Sequence, residues 1–438
     1  MTTFRPTVAQ PQLQTLALLA SEGARFDNAF TVATGTTPSH SSLFTSSHAM
    51  THGVYNNETI LSPELTTLAE VLSQMQYETA AFVSAVPVAS ALGLSQGFQV
   101  FDENFDTDLS NGLGASSQFE RSADRTTSTF LEWLDSRDDE PFFAWIHYFD
   151  PHQPYAPSSG KHQRGAQSEG IAKLFEDESG APKYVGDYPG ATSLLDILRQ
   201  GIELETVIDY ARLQYRGEIA NVDAALGRVV QQLRDKGLYD NTHIVFTADP
   251  SENFLEHGIR LALDHAGLFG SVVQIPLLIK FPEGRHRGTS TRRVVANIDI
   301  APTILAELGG NIPGTWEGES VLDFIGAELA GPRTLVIEGA YRHEISIRSA
   351  DWMYREVRAE FRSQPDEINY LGFGKEAREL YDLVSHPREN RNVLRDPLPS
   401  SLLERLETFK ARQTSSEASQ LDTQEHTTGL RALGYVQN

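Results

Sequence analysis

The chain has 438 residues and a formal net charge of -23 at pH 7, because 59 acidic residues outnumber 36 basic ones. So negative a protein is a poor partner for nucleic acid or for an anionic membrane surface, and we exclude both. The sequence contains no cysteine, which rules out disulfide bonds, thiolate zinc sites and cysteine nucleophiles. Binding of an anionic ligand therefore requires a local positive site.

Localisation is predicted from two further features of the sequence. No stretch is apolar for long enough to span a bilayer, and residues 1–10 lack the apolar core of a signal peptide. We therefore expect a soluble, cytoplasmic protein. A chain of this length can bury a large core, and it allows one large domain together with a small one.

In chain order, the first distinctive stretch covers residues 28–57 and is crowded with small hydroxyl side chains. Pro38 is predicted at the first position of a helix, with Thr37 or Ser39 near the cap. The unpaired amides of a helix start favour a tetrahedral anion. Thr36, just upstream, would then lie where an oxyanion ester docks.

Strands and helices alternate around and beyond this stretch, which predicts a doubly wound α/β fold with a mostly parallel sheet flanked by helices. The apolar run 141–148 is typical of a strand covered on both faces. Strands are predicted over residues 24–30, 79–85, 141–148, 243–249 and 275–281. Helices are predicted over residues 8–22, 67–76, 121–136 and 298–308, with two more over 204–237.

Beyond residue 331 the pattern changes to short strands followed by a helix over residues 402–413. This change predicts a small C-terminal α+β subdomain. We therefore divide the chain into a catalytic α/β domain at 1–331 and a subdomain at 332–438.

Several of these segments together resemble the sulfatase branch of the alkaline phosphatase superfamily. The resemblance implies the alkaline phosphatase/sulfatase fold and hydrolysis of a small-molecule sulfate or phosphate ester. The segments are Thr36-x-Pro38-Ser39-His40 with His52-Gly53-Val54, HYFDPHQPY from His147, TADPSENFLEHG from Thr247, ELYDLVSHPRENRNV from Glu379 and LRALGYV from Leu430.

The resemblance places the nucleophile at Thr36. Many sulfatases carry there a cysteine or serine that is oxidised to formylglycine, but threonine would give a ketone, so we expect no formylglycine. Direct attack by the hydroxyl, as in the nucleotide pyrophosphatase/phosphodiesterase relatives, needs a metal or a base to remove the proton. We expect a divalent cation, with Ca²⁺ or Mg²⁺ favoured over Mn²⁺ or Zn²⁺. A threonine that only caps the helix is the alternative.

Asp249 is the metal ligand that the resemblance implies. The strand before it ends at this residue, and the carboxyl ends of such strands converge on a ligand crevice. Pro250 stands where relatives carry a second ligand, and its ring has no donor atom. Glu252 or Asn253 is a substitute ligand only if its side chain turns towards Asp249. A strand-end aspartate before a proline turn is the competing interpretation.

Four histidines complete the predicted site. His152, between two prolines, is expected to protonate the leaving alkoxide as a general acid. His265 falls where relatives hold the anion, and His40 and His257 are assigned to substrate binding. For His40, His257 and His265 a structural role is an equal alternative, and His147 is interpreted as structural.

The family's first strand, which is apolar and ends in one or two metal-binding aspartates, has no counterpart here, and no run in residues 1–12 can replace it. Either the true start lies upstream of Met1, or the chain is a degenerate member that has lost catalysis. The functional hypothesis is a hydrolase with a threonine nucleophile and a divalent cation. Its alternative is a catalytically inactive protein of the sulfatase fold that binds an anionic ligand or a partner. The sequence does not distinguish a sulfate from a phosphate substrate, and it does not determine the oligomeric state.

Overall fold

The fold is described from a computed structural model. Among the described residues, no helix is both long enough and apolar enough to cross a lipid bilayer. Apart from residues 404 and 408, the helix predicted over 402–413 lies outside the described residues, as do residues 8–12 of the first predicted helix. The structure describes residues 13–105, 120–155, 168–176, 183–186, 192–326, 333–340, 343–358 and 377–394, together with residues 404 and 408.

Helices and strands alternate along most of the described chain, as the sequence pattern predicts. The helices are α1 (Gln14–Glu22), α2 (Thr36–Thr45), α3 (Ala49–His52), α4 (Leu68–Gln74), α5 (Ala123–Ser136), α6 (Ser168–Ala172), α7 (Leu194–Arg199), α8 (Leu204–Asp235), α9 (Gly270–Val273) and α10 (Ile300–Glu307). The strands are β1 (Ala24–Phe30), β2 (Glu78–Phe82), β3 (Val100–Asp102), β4 (Phe142–Ile146), β5 (Ile244–Thr247), β6 (Leu277–Lys280), β7 (Thr289–Ala296), β8 (Leu335–Glu338), β9 (Glu344–Arg348), β10 (Trp352–Val357) and β11 (Arg378–Asp382).

The main sheet consists of two pieces. One piece has the strand order β3-β2-β4, and all its strands are parallel. The other has the order β5-β6-β1-β7, in which β1 and β7 are parallel while β6 runs antiparallel to both its neighbours. The predicted α/β class with a mostly parallel sheet is confirmed.

Helices cover both faces of the sheet. Leu19 of α1 and Phe130 of α5 pack with Phe82 of β2 in one cluster. Ala81, the preceding residue of β2, packs on the other face with Phe44 of α2. Because successive side chains of a strand point to opposite faces, the two clusters are the two sides of one layered core.

The helical pattern over 204–237 forms one helix of 32 residues, α8, so the prediction of two helices is wrong. The helix continues without a break through Gly217 and Gly227. A Cβ atom on Gly227 would lie 2.9 Å from the Thr15 hydroxyl oxygen. Glycine at this position therefore serves the close approach of α1 to α8.

Helix α2 begins earlier than predicted. Thr36 is its first residue, Gly35 precedes it with φ 92°, and Pro38 occupies the third position. The local cap expected from Thr37 or Ser39 is absent, and the Thr37 amide instead donates to Asn57 Oδ1 at 2.9 Å. The start of α2 is thus capped by the distant side chain of Asn57 and not by the local residue that the sequence predicts.

A second, antiparallel sheet has the order β11-β10-β9-β8. Its edge strand β8 joins the segment before α2, because the Glu338 amide donates to Val32 O at 2.9 Å and the Thr34 amide to Glu338 O at 3.2 Å. The predicted boundary at residue 331 falls among residues 327–332, which lie outside the described residues, so the division into 1–331 and 332–438 stays a prediction.

The amino end of α1 is capped from a distance. Asp223 of α8 accepts hydrogen bonds from the amides of Leu16 at 2.8 Å and Thr15 at 3.2 Å. These amides have no acceptor within their own helix, so one carboxylate fixes the position of α1 on α8.

We expect Asp223→Ala to lower the free energy of unfolding by about 1 kcal/mol, because two amides at a helix start lose their acceptor. Urea denaturation followed by circular dichroism measures the change. The control is Asp209→Ala, since exposed Asp209 pairs only with Arg212 on the same helix. An equal loss in both variants would contradict the capping role.

Candidate active site

A cavity of about 1420 Å³ lies between β4 and β5 and extends beyond the ends of both strands. We call the part that is lined by residues following β4 and β5 the site end. The predicted residues that line it are Thr36, His40, His152, Asp249 and His265, and His147 lines it as well.

Thr36 presents a hydroxyl to the cavity. The residue is 9% exposed, and within the described part of the chain its hydroxyl has no hydrogen-bond partner. The neighbouring amides are mostly engaged: that of Thr37 donates to Asn57, that of Ser39 donates to Gly35 O at 3.1 Å, and Pro38 has no N–H. The helix start therefore offers an anion fewer amides than the sequence suggested.

The segment before Thr36 is fixed by a buried polar network. Asn297 Oδ1 accepts from the Val32 amide at 3.1 Å, and Asn297 Nδ2 donates to Ser39 O at 3.0 Å. The hydroxyls of Thr31 and Ser39 lie 2.9 Å apart. Because these groups are buried and paired, the loop and the first turn of α2 form one rigid support for Thr36.

Aromatic rings form a row along the site end. The ring centroids of His40 and His147 are 5.2 Å apart, and those of His152 and His265 are 5.1 Å apart. Phe149 lies between the two pairs, 6.4 Å from His147 and 4.4 Å from His152. His147 therefore belongs to the same surface as the predicted residues. The sequence interpretation treated His147 as structural, although its position directly after β4 places it at the carboxyl end of a strand.

Both histidines from the segment after β4 are neutral at pH 7. Burial lowers the pKa of His152 to about 3, and the nearby His265 lowers it further. Burial, followed by His40 and Arg121, holds the pKa of His147 well below its usual range. The Nδ1–H group of His152 donates to Gln153 O at 2.5 Å, so Nε2 is an acceptor. His152 must gain a proton before it can act as a general acid.

The remaining predicted histidines differ in position. His40 donates from Nδ1 to Thr36 O at 2.8 Å, and His265 donates from Nδ1 to Ser251 O at 2.9 Å. His257 does not line the cavity; its ring stacks on Phe269 at 3.5 Å. The structure thus brings together every predicted site residue except His257.

Glu252 and Asn253, the substitute ligands considered for the cation, make hydrogen bonds to other groups of the protein. Glu252 is buried and accepts hydrogen bonds from Gln153 Nε2 at 2.9 Å and from the Tyr155 hydroxyl. Asn253 Nδ2 donates to Ala266 O at 2.9 Å. Glu252 lines the cavity with its carboxylate engaged in these bonds, and Asn253 is not among the residues that line it.

The donors around Asp249 do not fit a divalent cation. Ca²⁺ and Mg²⁺ draw on about six oxygen atoms, whereas Asp249 and Thr36 offer one carboxylate and one hydroxyl, and Pro250 offers none. Nowhere in the described ranges do three or more His, Asp or Glu side chains form a group that could hold a metal ion. We therefore derive no catalytic step through a metal.

Comparisons with known proteins identify the family of this chain. The sulfatase family model matches residues 4–310, which is more than half of the chain. The chain belongs to the sulfatase family. A second model, of the C-terminal region of N-sulphoglucosamine sulphohydrolase, matches residues 256–415. The resemblance inferred from the sequence motifs is thereby confirmed.

Three relatives illustrate the range of the family. The multifunctional alkaline phosphatase superfamily protein PehA of Trinickia caryophylli is 27% identical over 299 residues, which are 63% of this chain and 56% of that protein. The chain thus matches little more than half of that relative's length. The N-acetylglucosamine-6-O-sulfatase of Bacteroides thetaiotaomicron is 22% identical, covering 86% of this chain and 77% of that protein. The phosphonate monoester hydrolase of Agrobacterium radiobacter shares the fold, with a TM-score of 0.65 at 20% identity over 94% of this chain and 92% of that one.

One further histidine, His52, stabilises the turn after α2. Its Nε2–H donates to the Ser42 hydroxyl at 2.9 Å, and its Nδ1 accepts from the Val54 amide at 3.1 Å. The ring must be neutral to do both, and burial lowers its pKa to about 3.

We expect acid to destabilise the protein through His52. The unfolded chain takes up this proton below a pH of about 6.5, whereas the folded chain resists until the pH approaches the lowered pKa of about 3. The stability is therefore complete above the unfolded pKa and is lost as the pH falls, by about 2 kcal/mol between pH 7 and pH 5. Urea denaturation at pH 7, 6 and 5 measures the slope. His52→Gln keeps a donor and an acceptor but does not titrate, so an unchanged slope in this variant would rule out the assignment.

Proposed function

We propose that this chain hydrolyses a sulfate ester of a small molecule at the site end of the cavity, with Thr36 as the nucleophile. The observation that carries the proposal is that Thr36, Asp249 and the histidine row line one cavity. Membership of the sulfatase family supports the reaction class.

The first step is attack by the Thr36 hydroxyl oxygen on sulfur. A new O–S bond forms, the bond from sulfur to the leaving oxygen breaks, and the hydroxyl proton passes to a neutral imidazole. His152, which takes up a proton from solvent when the ester binds, gives that proton to the leaving oxygen, so the alcohol departs neutral. Water then cleaves the threonine sulfate, which releases sulfate and restores the hydroxyl.

His152 suits this sequence because burial lowers its pKa to about 3, so its ring is neutral before the ester arrives. An anion bound beside an imidazole favours its protonated form and raises its pKa. The sulfate ester thus makes His152 a competent acid only when substrate is present. His40 and His265 are proposed to hold the ester oxygens, and His257, which lies apart, contributes only if the substrate extends beyond the cavity.

The substrate class follows from the relatives. The name of the Bacteroides thetaiotaomicron relative indicates a 6-O-sulfated N-acetylglucosamine, which is the first compound to test. A phosphate ester is the competing substrate, since a threonine nucleophile attacks phosphorus in related enzymes and a phosphonate monoester hydrolase shares the fold.

A second candidate function is binding of a sulfate ester without turnover. The incomplete donor set around Asp249, with Pro250 in place of a ligand, favours this candidate. Under it the chain would keep the fold and the anion site but would not activate Thr36.

We expect Thr36→Ala to reduce kcat by at least about 100-fold with little change in KM, because the nucleophile is lost but the binding groups remain. Thr36→Ser, which keeps a hydroxyl, should retain part of the activity. Turnover of p-nitrophenyl sulfate and p-nitrophenyl phosphate provides the assay. Thr51→Ala, on the exposed face of α3, is the matched control. If the wild-type protein binds these esters by calorimetry but does not turn them over, the second candidate replaces the first.

Metal binding is expected to be weak. With one carboxylate as the charged ligand, Ca²⁺ or Mg²⁺ should bind with a Kd of about 1 mM or weaker, and Asp249→Asn should abolish the binding. Asp240→Asn, at an exposed position before β5, is the control. Isothermal calorimetry measures the affinity. If millimolar Mg²⁺, Mn²⁺, Ca²⁺ and Zn²⁺ give neither binding nor turnover of aryl sulfates and phosphates, the hydrolase proposal fails.

A further inference from the structure

The histidine rings at the site end differ in which nitrogen carries the proton. A neutral imidazole has an N–H group on one nitrogen and a lone pair on the other. His40, His147, His152 and His265 all line the cavity. In each ring, the hydrogen bond that Nδ1 makes to the protein therefore decides whether Nε2 is a donor or an acceptor.

Three of these rings share one arrangement. A backbone carbonyl oxygen can only accept a hydrogen bond, so a ring nitrogen bonded to it must carry the proton. When these rings are neutral, Nε2 therefore has a lone pair and no hydrogen. The Nδ1 atoms donate as follows: His40 to Thr36 O at 2.8 Å, His152 to Gln153 O at 2.5 Å and His265 to Ser251 O at 2.9 Å.

His147 has the opposite arrangement. Its Nδ1 lies 3.4 Å from the backbone nitrogen of Ser84, and an amide N–H can only donate. Nδ1 of His147 is therefore the acceptor, and the proton of the neutral ring lies on Nε2. This Nε2–H group has no hydrogen-bond partner among the described residues, although the residue is only 7% exposed.

The position of His147 is fixed by the same neighbour that fixes its proton. The Ser84 hydroxyl donates to His147 O at 2.5 Å and lies 2.6 Å from the Thr126 hydroxyl oxygen. The His147 amide donates to Phe82 O at 2.9 Å. Because Ser84 and Thr126 are fully buried, His147 cannot turn without breaking a paired network.

The surroundings of His147 also keep its ring neutral. Burial holds the pKa of His147 well below its usual range, and His40 and Arg121 lower this pKa further. Arg121 is itself paired with Asp102 and does not line the cavity. Near pH 7 the ring therefore keeps one proton, and the Ser84 amide holds that proton on Nε2.

We propose that His147 is a binding residue of the site end, whose neutral Nε2–H group donates a hydrogen bond to a non-bridging oxygen of the bound ester. The proposal rests on the proposed function for the place of the ester. A donor that is already oriented stabilises an anion without proton uptake, whereas His152 must first gain a proton. His147 also cannot accept the Thr36 proton, since its free nitrogen already carries one.

The position of the proton is tested on the full chain labelled with ¹⁵N-histidine. Long-range ¹H–¹⁵N NMR at pH 7 distinguishes the two neutral forms of a ring, and the signals that disappear in His147→Gln assign this residue. We expect the proton on Nε2, and we expect the resonances of this group to shift when inorganic sulfate binds. A proton on Nδ1, or resonances that sulfate leaves unchanged, would overturn the proposal.

The donor is tested with two variants of equal side-chain length. His147→Gln keeps an N–H group, whereas His147→Met has none. Calorimetry measures the Kd of inorganic sulfate and of p-nitrophenyl sulfate. We expect His147→Met to weaken binding at least about tenfold, because a hydrogen bond to a charged group is lost, and His147→Gln to retain most of the affinity. His386→Met, outside the cavity, is the control and should bind as the wild type does.

The remaining outcomes separate this proposal from the hydrolase. An equal loss of affinity in both variants, with unchanged circular dichroism, would mean that the ring acts through packing, and unchanged affinity in His147→Met would remove the donor. Each result overturns the proposal, as does a wild-type protein that binds neither anion at millimolar concentration. If the wild type binds sulfate through His147 but does not turn over the ester, the hydrolase fails and the role of His147 is confirmed.

Discussion

The relative position of β4 and β5 is the constraint on which the candidate active site depends. His147 follows β4 and Asp249 follows β5, so the spacing of the two strands sets the distance between the two groups. Leu16 of α1 and Ile304 of α10 line the cavity between the two strands.

The other half of the site is held by residues outside β4 and β5. Thr36 stands on a loop and helix that Asn297 fixes through bonds to Val32 and Ser39, and β8 adds its backbone to the same loop at Glu338. The proposed nucleophile is therefore positioned by a complete buried network. The groups proposed to activate it follow β4 and β5, and each of these strands pairs with one neighbouring described strand. This division explains how the chain keeps an ordered Thr36 next to an incomplete donor set.

The sequence predicts most elements because hydrophobic period and strand-helix alternation are local signals. Thr36, His152 and Asp249 line one cavity, which the sequence anticipates because residues at strand ends and helix starts converge in this kind of fold. What it misses depends on distant partners. Asn57 replaces the local cap of α2, and Gln153 engages Glu252 from 99 residues away, so neither event leaves a local pattern. His257 matched a motif, yet its stacking on Phe269 follows from a loop whose path no spacing predicts.

The charge of the site end completes the physical argument. Among the described residues that line the cavity, the lysine and arginine are Lys236 and Arg137, and both lie where β4 and β5 begin. In a chain of net charge -23, His147 and His152 add no positive charge to the empty site end, because burial lowers the pKa of both. Proton uptake and anion binding must favour each other there, because each changes the affinity for the other by the same factor. At His152, under the proposed function, positive charge would therefore be gained when the ester binds rather than be present beforehand.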